Sequence, residues 1–75
     1  MIEVLEKDGE IMYVAKEIKK LEDYAVYLEE IFPDAQQERV RWDKTLGFNI
    51  LKVDISDDAT KKDFKDLLDL YARMR

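Results

Sequence analysis

The sequence predicts a two-layer α+β domain in which a three-stranded antiparallel sheet carries two helices on one face, with the elements in the order β-α-β-β-α. Three observations predict this class. An apolar stripe with helical spacing occupies the first half of the chain, two alternating segments flank Gly47, and a second helical stripe follows a polar turn. The length of 75 residues suits one domain, which we expect to span residues 1–75.

The first strand and the first helix are predicted from the residues before Pro33. "IEVLEK" alternates apolar and polar residues, which indicates a short strand. Asp8 and Gly9 then suit either a hairpin turn into "EIMYVA" or the N-cap of a helix. We favour a helix from about residue 9 to residue 32, because a hairpin accounts only for residues 10–15 and because proline ends a helix. The helical stripe consists of Ile11, Val14, Ile18, Leu21, Ala25, Leu28 and Phe32.

The middle of the chain predicts a β-hairpin. "QERVRWDK" alternates, with Val40 and Trp42 on one side and charged residues on the other. "KTLG" supplies the turn, in which Gly47 can adopt a positive φ. "GFNILKVDIS" alternates again, so we expect the second strand of the hairpin over residues 47–56.

The C-terminal segment predicts the second helix. "SDDAT" is rich in residues that cap helix N-termini, and Thr60 followed by Asp63 resembles a capping box with aspartate in place of glutamate. The apolar positions that follow have helical spacing and would face the sheet. They are Phe64, Leu67, Leu68, Tyr71 and Met74.

The second hairpin strand is apolar on both sides, which predicts an interface. Leu51, Val53 and Ile55 would face the helices, whereas Phe48 and Ile50 would face water on the bare side of the sheet. Scattered exposed apolar residues are common, but a contiguous pair favours contact with a second protein. The sheet face, the sheet edge and the flank of the first helix all remain open as the contact surface. The predicted partner-interface residues are Phe48, Ile50, Trp42, Val40, Arg41, Tyr13 and Tyr27.

Residues that carry chemistry are scarce in this sequence. The chain has no cysteine and no histidine, and Ser56 is its only serine, so no activated nucleophile is predicted. Asp54, Asp57 and Asp58 could hold a hard cation, but their spacing matches no calcium loop, and we favour a role at a strand end and in helix capping. We therefore expect no catalytic residue, no metal ligand and no cofactor, and a protein that is not an enzyme.

Charge and composition narrow the possible partners. The net charge of −5 disfavours binding to nucleic acid by the chain alone. Arg39, Arg41 and Lys44 form a small cationic stripe beside Trp42, but ordinary strand alternation with Trp42 in the core is the favoured interpretation. We expect a cytoplasmic protein with no membrane segment, and the 41% of charged residues is typical of thermophiles.

The order of the elements carries a family resemblance. A strand and a long helix, the hairpin "RVRWDKTLGFNILKVDIS" and the helix "DDATKKDFKDLLDLYARM" together resemble the small dimerisation subunits of the KEOPS complex, which modifies tRNA with threonylcarbamoyladenosine. The matching local stretch is "LKVDISDDA" with the apolar register of Phe64, Leu67, Leu68 and Tyr71. The main subunit of that family has a leucine-arginine pair and an asparagine where this chain has "TKKDFKD". The sequence is therefore more similar to the divergent archaeal accessory paralogue.

The resemblance implies a non-catalytic subunit that forms a heterodimer with a related small subunit. It also implies a six-stranded sheet joined edge to edge, with the helices on one side. Two alternatives remain open, which are a stand-alone homodimeric α+β module of unrelated function and a weak RNA-binding domain.

Overall fold

The computed structural model describes residues 1–56 and 58–74, and it has the predicted α+β class with two helices and an antiparallel sheet. Within these residues the sheet has five strands instead of three, and the order is β-β-α-β-β-β-α. The elements are β1 Glu3–Lys7, β2 Glu10–Ala15, α1 Ile18–Ile31, β3 Gln36–Gln37, β4 Arg41–Asp43, β5 Phe48–Asp54 and α2 Lys61–Arg73.

The predicted helix start at residue 9 is wrong, because β1 and β2 form a hairpin. Asp8 (φ 53°) and Gly9 (φ 79°) both occupy the left-handed region that a two-residue hairpin turn requires. Residues 11–15 are an unbroken apolar run, since β2 is covered on both faces. Such a run fits helical and strand spacing equally well, so periodicity alone could not identify it.

The helix α1 occupies only the second part of the predicted segment. It buries Leu21, Tyr24 and Leu28 against the sheet. The helix ends where expected, because the Phe32 N–H donates to the Leu28 carbonyl and Pro33 follows.

The strands β3 and β4 lie along the same edge of β5 and are separated by a bulge. Gln37 is opposite Val53 and Arg41 is opposite Ile50, so four steps on one strand match three on the other. The extra residue lies between Gln37 and Arg41, and it changes which face the following side chains occupy. As a result Val40 packs towards the helices, whereas Arg41 lies on the opposite face.

The helix α2 begins with the predicted capping box. The Thr60 hydroxyl accepts a hydrogen bond from the Asp63 N–H, and the Asp63 carboxylate accepts one from the Thr60 N–H at 2.7 Å. The hydrogen bonds that the Thr60 N–H and the Thr60 hydroxyl donate to the Asp63 carboxylate lower the pKa of Asp63. Phe64 is buried in the first turn of the helix, whereas Met74 near its end is 64% exposed and therefore lies outside the core.

Both helices cover one face of the sheet, α1 over β2 and β5 and α2 over β1 and β2. The main core lies in this layer. We call the opposite face of the sheet the second face. The prediction that its apolar residues face water is wrong. This face holds a smaller cluster in which Met12, Val14 and Ile50 are buried and Leu5 and Phe48 are half-buried. The sheet therefore has apolar contacts on both faces, which explains why β2 and β5 are apolar on both sides.

Candidate interaction surface

Two residues predicted at the partner interface are buried within the chain. Ile50 is 1% exposed because it packs with Met12 and Val14 on the second face. Tyr13 is fully buried in the main core, because it belongs to β2 and not to a helix flank. The expectation that Ile50 faces water is wrong, and neither side chain can touch a partner without rearrangement of the core.

Phe48 and the rest of the second face are partly covered by charged side chains. Lys52 forms an ion pair with Glu10 at 2.6 Å, and this hydrogen bond lowers the pKa of Glu10. Asp43 accepts a hydrogen bond from the Leu46 N–H, which lowers the pKa of Asp43. Phe48 is half-buried beside these groups, so only part of its ring is accessible to a partner.

Tyr27 belongs to an aromatic cluster that joins the two helices. Its ring lies 6.0 Å from Tyr24 and 4.8 Å from Tyr71, and its hydroxyl contacts the Met74 sulfur. Tyr13 completes the set, so all four tyrosines of the chain lie in this cluster. Tyr27 thus has a structural role as a bridge, and its half-buried ring leaves only part of its surface for a partner.

The hydroxyl groups of Tyr13 and Tyr24 differ in their hydrogen bonds although both rings are fully buried. Tyr13 donates to the Phe64 carbonyl at 2.9 Å. The Tyr24 hydroxyl makes no hydrogen bond of good geometry with the described residues. Burial raises the pKa of Tyr13 to about 12, and burial together with the neighbouring Tyr13 hydroxyl raises the pKa of Tyr24 as well.

Trp42 is the predicted interface residue that the structure leaves most accessible. The interpretation of Trp42 as a core residue is wrong, because 58% of its surface is exposed. It is opposite Asn49, which is buried and donates to the Lys16 carbonyl at 2.9 Å. A buried, hydrogen-bonded residue therefore lies next to the exposed indole at the sheet edge.

A second exposed apolar residue borders the same edge. Ile18 and Ala25 are two turns apart and so lie on one flank of α1. This flank faces the β3–β4 edge, because the Gln37 side chain donates to the Ala25 carbonyl at 3.0 Å. Ile18 is 48% exposed, and Val40, which immediately precedes β4, is half-buried against the main core. We call Trp42, Ile18 and Val40 together the Trp42 surface.

Arg41, the cationic residue that precedes Trp42 in the chain, does not share a face of the sheet with the indole. Arg41 is exposed, but it lies on the second face, where Ile50 is its partner in the ladder. Its guanidinium is 3.7 Å from the Glu38 carboxylate, which offsets its charge. The structure thus separates Arg41 from the indole, as strand alternation predicts.

Two of the three aspartates in the predicted acidic turn lie among the described residues. Asp54 and Asp58 are exposed, and Asp57 lies outside the described residues. In the part of the chain that the structure describes, no three acidic, histidine or cysteine side chains are grouped as metal ligands. Neither described helix has the length and hydropathy required to cross a membrane.

The sequence did not identify Ile18 as an exposed residue or residues 10–15 as a strand. The apolar stripe placed Ile18 in the core of a long helix, although it lies in the first turn of a shorter one. The signal that could have found the hairpin was the Asp8-Gly9 dipeptide. Comparison with protein-family models, with curated proteins and with solved structures gave no match for this chain.

Proposed function

We propose that this chain is a non-catalytic protein-interaction subunit that binds a related small α+β protein through the Trp42 surface. The resemblance to the small dimerisation subunits favours an assembly of the KEOPS type, in which the chain would act in tRNA modification without contacting the reacting atoms. The absence of histidine and cysteine from the sequence supports a role that needs no side-chain nucleophile or zinc ligand.

The exposure of Trp42 is the single observation that carries the proposal. A tryptophan with more than half of its surface in water is an unfavourable arrangement for a monomer, and tryptophan is enriched among residues that dominate binding energy. Ile18 and Val40 extend the apolar area next to it. The buried Asn49 ties the paired strand to Lys16, so the backbone beside Trp42 would lose little conformational freedom on binding.

Charge favours a protein partner over a nucleic acid. The chain carries a net charge of −5, which repels phosphates. Arg41, the cation nearest to Trp42 in sequence, lies on the other face and pairs with Glu38. A base that stacked on the indole would therefore find no adjacent cation from Arg41 for its phosphate.

The test begins with capture of the tagged chain from its host and identification of its partner by mass. The purified partner is then titrated against wild type, Trp42→Ala and the control Val26→Ala. Val26 is as exposed as Trp42, at 57%, but lies on the outer side of α1. We expect Trp42→Ala to weaken binding about thirtyfold, as loss of a dominant contact does, and Val26→Ala to have no effect.

The thermal unfolding of each variant provides the control for folding. Since both side chains are largely exposed, both variants should unfold close to the wild-type temperature. Binding of Trp42→Ala with wild-type affinity, while the fold is retained, would show that the partner uses another surface.

A further inference from the structure

We propose that β1 pairs with β1 of a second copy, antiparallel about a two-fold axis at Leu5, so that two sheets become one. This homodimer contact lies on the edge of the sheet opposite the Trp42 surface. It goes beyond the proposed function and does not depend on it.

The backbone of β1 has hydrogen-bonding groups that no neighbouring strand uses. Lys7 and Glu10 close the two-residue hairpin, so they form a hydrogen-bonded pair. Along the two strands from this point, hydrogen-bonded pairs alternate with pairs that are not hydrogen-bonded. The N–H and C=O groups of Glu3, Leu5 and Lys7 therefore point to β2. Those of Val4 and Glu6 point away from β2, and no strand lies beside β1 among residues 1–56 and 58–74.

The edge at β1 has charged side chains, which discourage strand pairing, but it lacks two other features that do so. It has five residues in regular register, with no proline and no bulge. The opposite edge consists of two short strands, β3 and β4, interrupted by the bulge before Arg41. Of the two edges, β1 is thus the better template for another strand.

Backbone geometry and charge select one register for the pairing. Within β1, only the backbone N–H and C=O groups of Val4 and Glu6 point outward. These two residues must therefore pair with Val4 or Glu6 of the second copy. If Leu5 lies on the two-fold axis, Val4 is opposite Glu6 of the second copy. Glu3 of each copy is then opposite Lys7 of the other, so the dimer contains two such pairs of opposite charge. A shift that centres the axis on Glu6 would set two Glu6 carboxylates against each other, and a shift that centres it on Val4 would leave Glu3 opposite Leu5. Only the register centred on Leu5 is self-complementary in charge.

The apolar contacts agree with this register. Leu5 is half-buried at the border of the second face, where it packs with the cluster of Met12, Val14 and Ile50. Pairing about Leu5 would bring the two Leu5 side chains together and join the two clusters across the axis. Each cluster would then lose the water-exposed border that it has in the monomer.

Complementary charge reversals test the proposal. Sedimentation equilibrium should show a concentration-dependent dimer for the wild type, and Glu3→Lys or Lys7→Glu should each weaken that dimer about tenfold, because each sets like charges opposite each other twice. An equimolar mixture of the two variants should form a heterodimer with near wild-type affinity, which native mass spectrometry identifies by mass. Glu22→Lys and Lys19→Glu are the matched controls, since they make the same changes of charge on α1.

A second variant tests the backbone contact without altering the charge pairs. Glu6→Pro removes an outward N–H and replaces an exposed side chain, so the monomer should fold while the dimer is lost. The proposal is overturned if the wild type is monomeric at all concentrations, if the charge reversals leave the dimer unchanged, or if the α1 controls weaken the dimer as much as the charge reversals do. Trp42→Ala should leave this dimer intact, so failure here and failure of the Trp42 surface can be distinguished.

Discussion

The phenol groups of Tyr13 and Tyr24 provide a matched pair for testing the packing of the core. Both rings are 0% exposed and lie 4.6 Å apart, edge to face. Tyr13→Phe removes the hydrogen bond to the Phe64 carbonyl, which ties β2 to α2. Tyr24→Phe removes a buried hydroxyl that makes no hydrogen bond of good geometry with the described residues. The two variants delete the same atom in the same cluster and differ only in what that atom contacts.

The expected changes in the free energy of unfolding have opposite signs. Loss of a satisfied buried hydrogen bond in Tyr13→Phe should lower it by about 1–1.5 kcal/mol. Loss of a poorly satisfied hydroxyl in Tyr24→Phe should leave it unchanged or raise it by up to about 1 kcal/mol. For a domain of this size, 1 kcal/mol corresponds to a shift of about 4–8 °C in the midpoint of thermal unfolding. Urea unfolding followed by circular dichroism resolves such differences.

The alkaline pH dependence of stability gives a second measurement on the same variants. The folded pKa of Tyr13 is about 12, above the value of about 10 in the unfolded chain, so the unfolded state loses its proton first. Stability from this group is therefore complete below about pH 10 and falls as the pH rises towards 12. Either substitution should make that fall shallower. If Tyr24→Phe destabilises the chain as much as Tyr13→Phe, the assignment of their hydrogen bonds is wrong.

Two further predictions concern the second face and the cap of α2. Ile50→Ala should lower the free energy of unfolding by about 2–4 kcal/mol, and Ile50→Asp should prevent folding. Urea titration measures both effects. A folded Ile50→Asp variant would contradict the burial of this residue. Thr60→Ala should lower the free energy of unfolding by about 1 kcal/mol, because the helix loses its cap. In Asp63→Asn, stability should fall less on acidification than it does in the wild type. The sign follows from the lowered pKa of Asp63: its contribution is present above the unfolded value and is lost as the pH falls through the folded one. An acid limb of unfolding that is identical in Asp63→Asn and wild type would argue against the capping box.

The elements with local signals could be predicted from the sequence. The helix α2 follows from Thr60, Asp63 and a stripe of apolar residues, and all of these signals act within a few residues. The strand β5 follows from alternation after Gly47, whose φ of 74° the turn requires. In each case the local preference and the tertiary structure agree.

The elements that depend on distant contacts could not be predicted. Residues 11–15 are apolar on both sides because β2 lies at the centre of the sheet, and that position depends on pairing with β5. The bulge before Arg41 follows the strand in which Gln37 contacts α1, and no local pattern encodes that long-range contact. The candidate interface changed for the same reason. Ile50 is sheltered by Met12 and Val14 of β2, and Tyr13 is covered by helix residues, whereas Trp42 projects from an edge.

The fluorescence of Trp42 reports directly on whether this residue contacts the partner, because it is the only tryptophan in the chain. In the free chain we expect emission typical of an indole in water and ready quenching by acrylamide, since 58% of the residue's surface is exposed. When a tryptophan-free variant of the partner is added, the emission should shift to the blue and quenching should fall in proportion to the complex formed. A complex that forms while emission and quenching stay at their free values would contradict the claim that Trp42 is the contact residue.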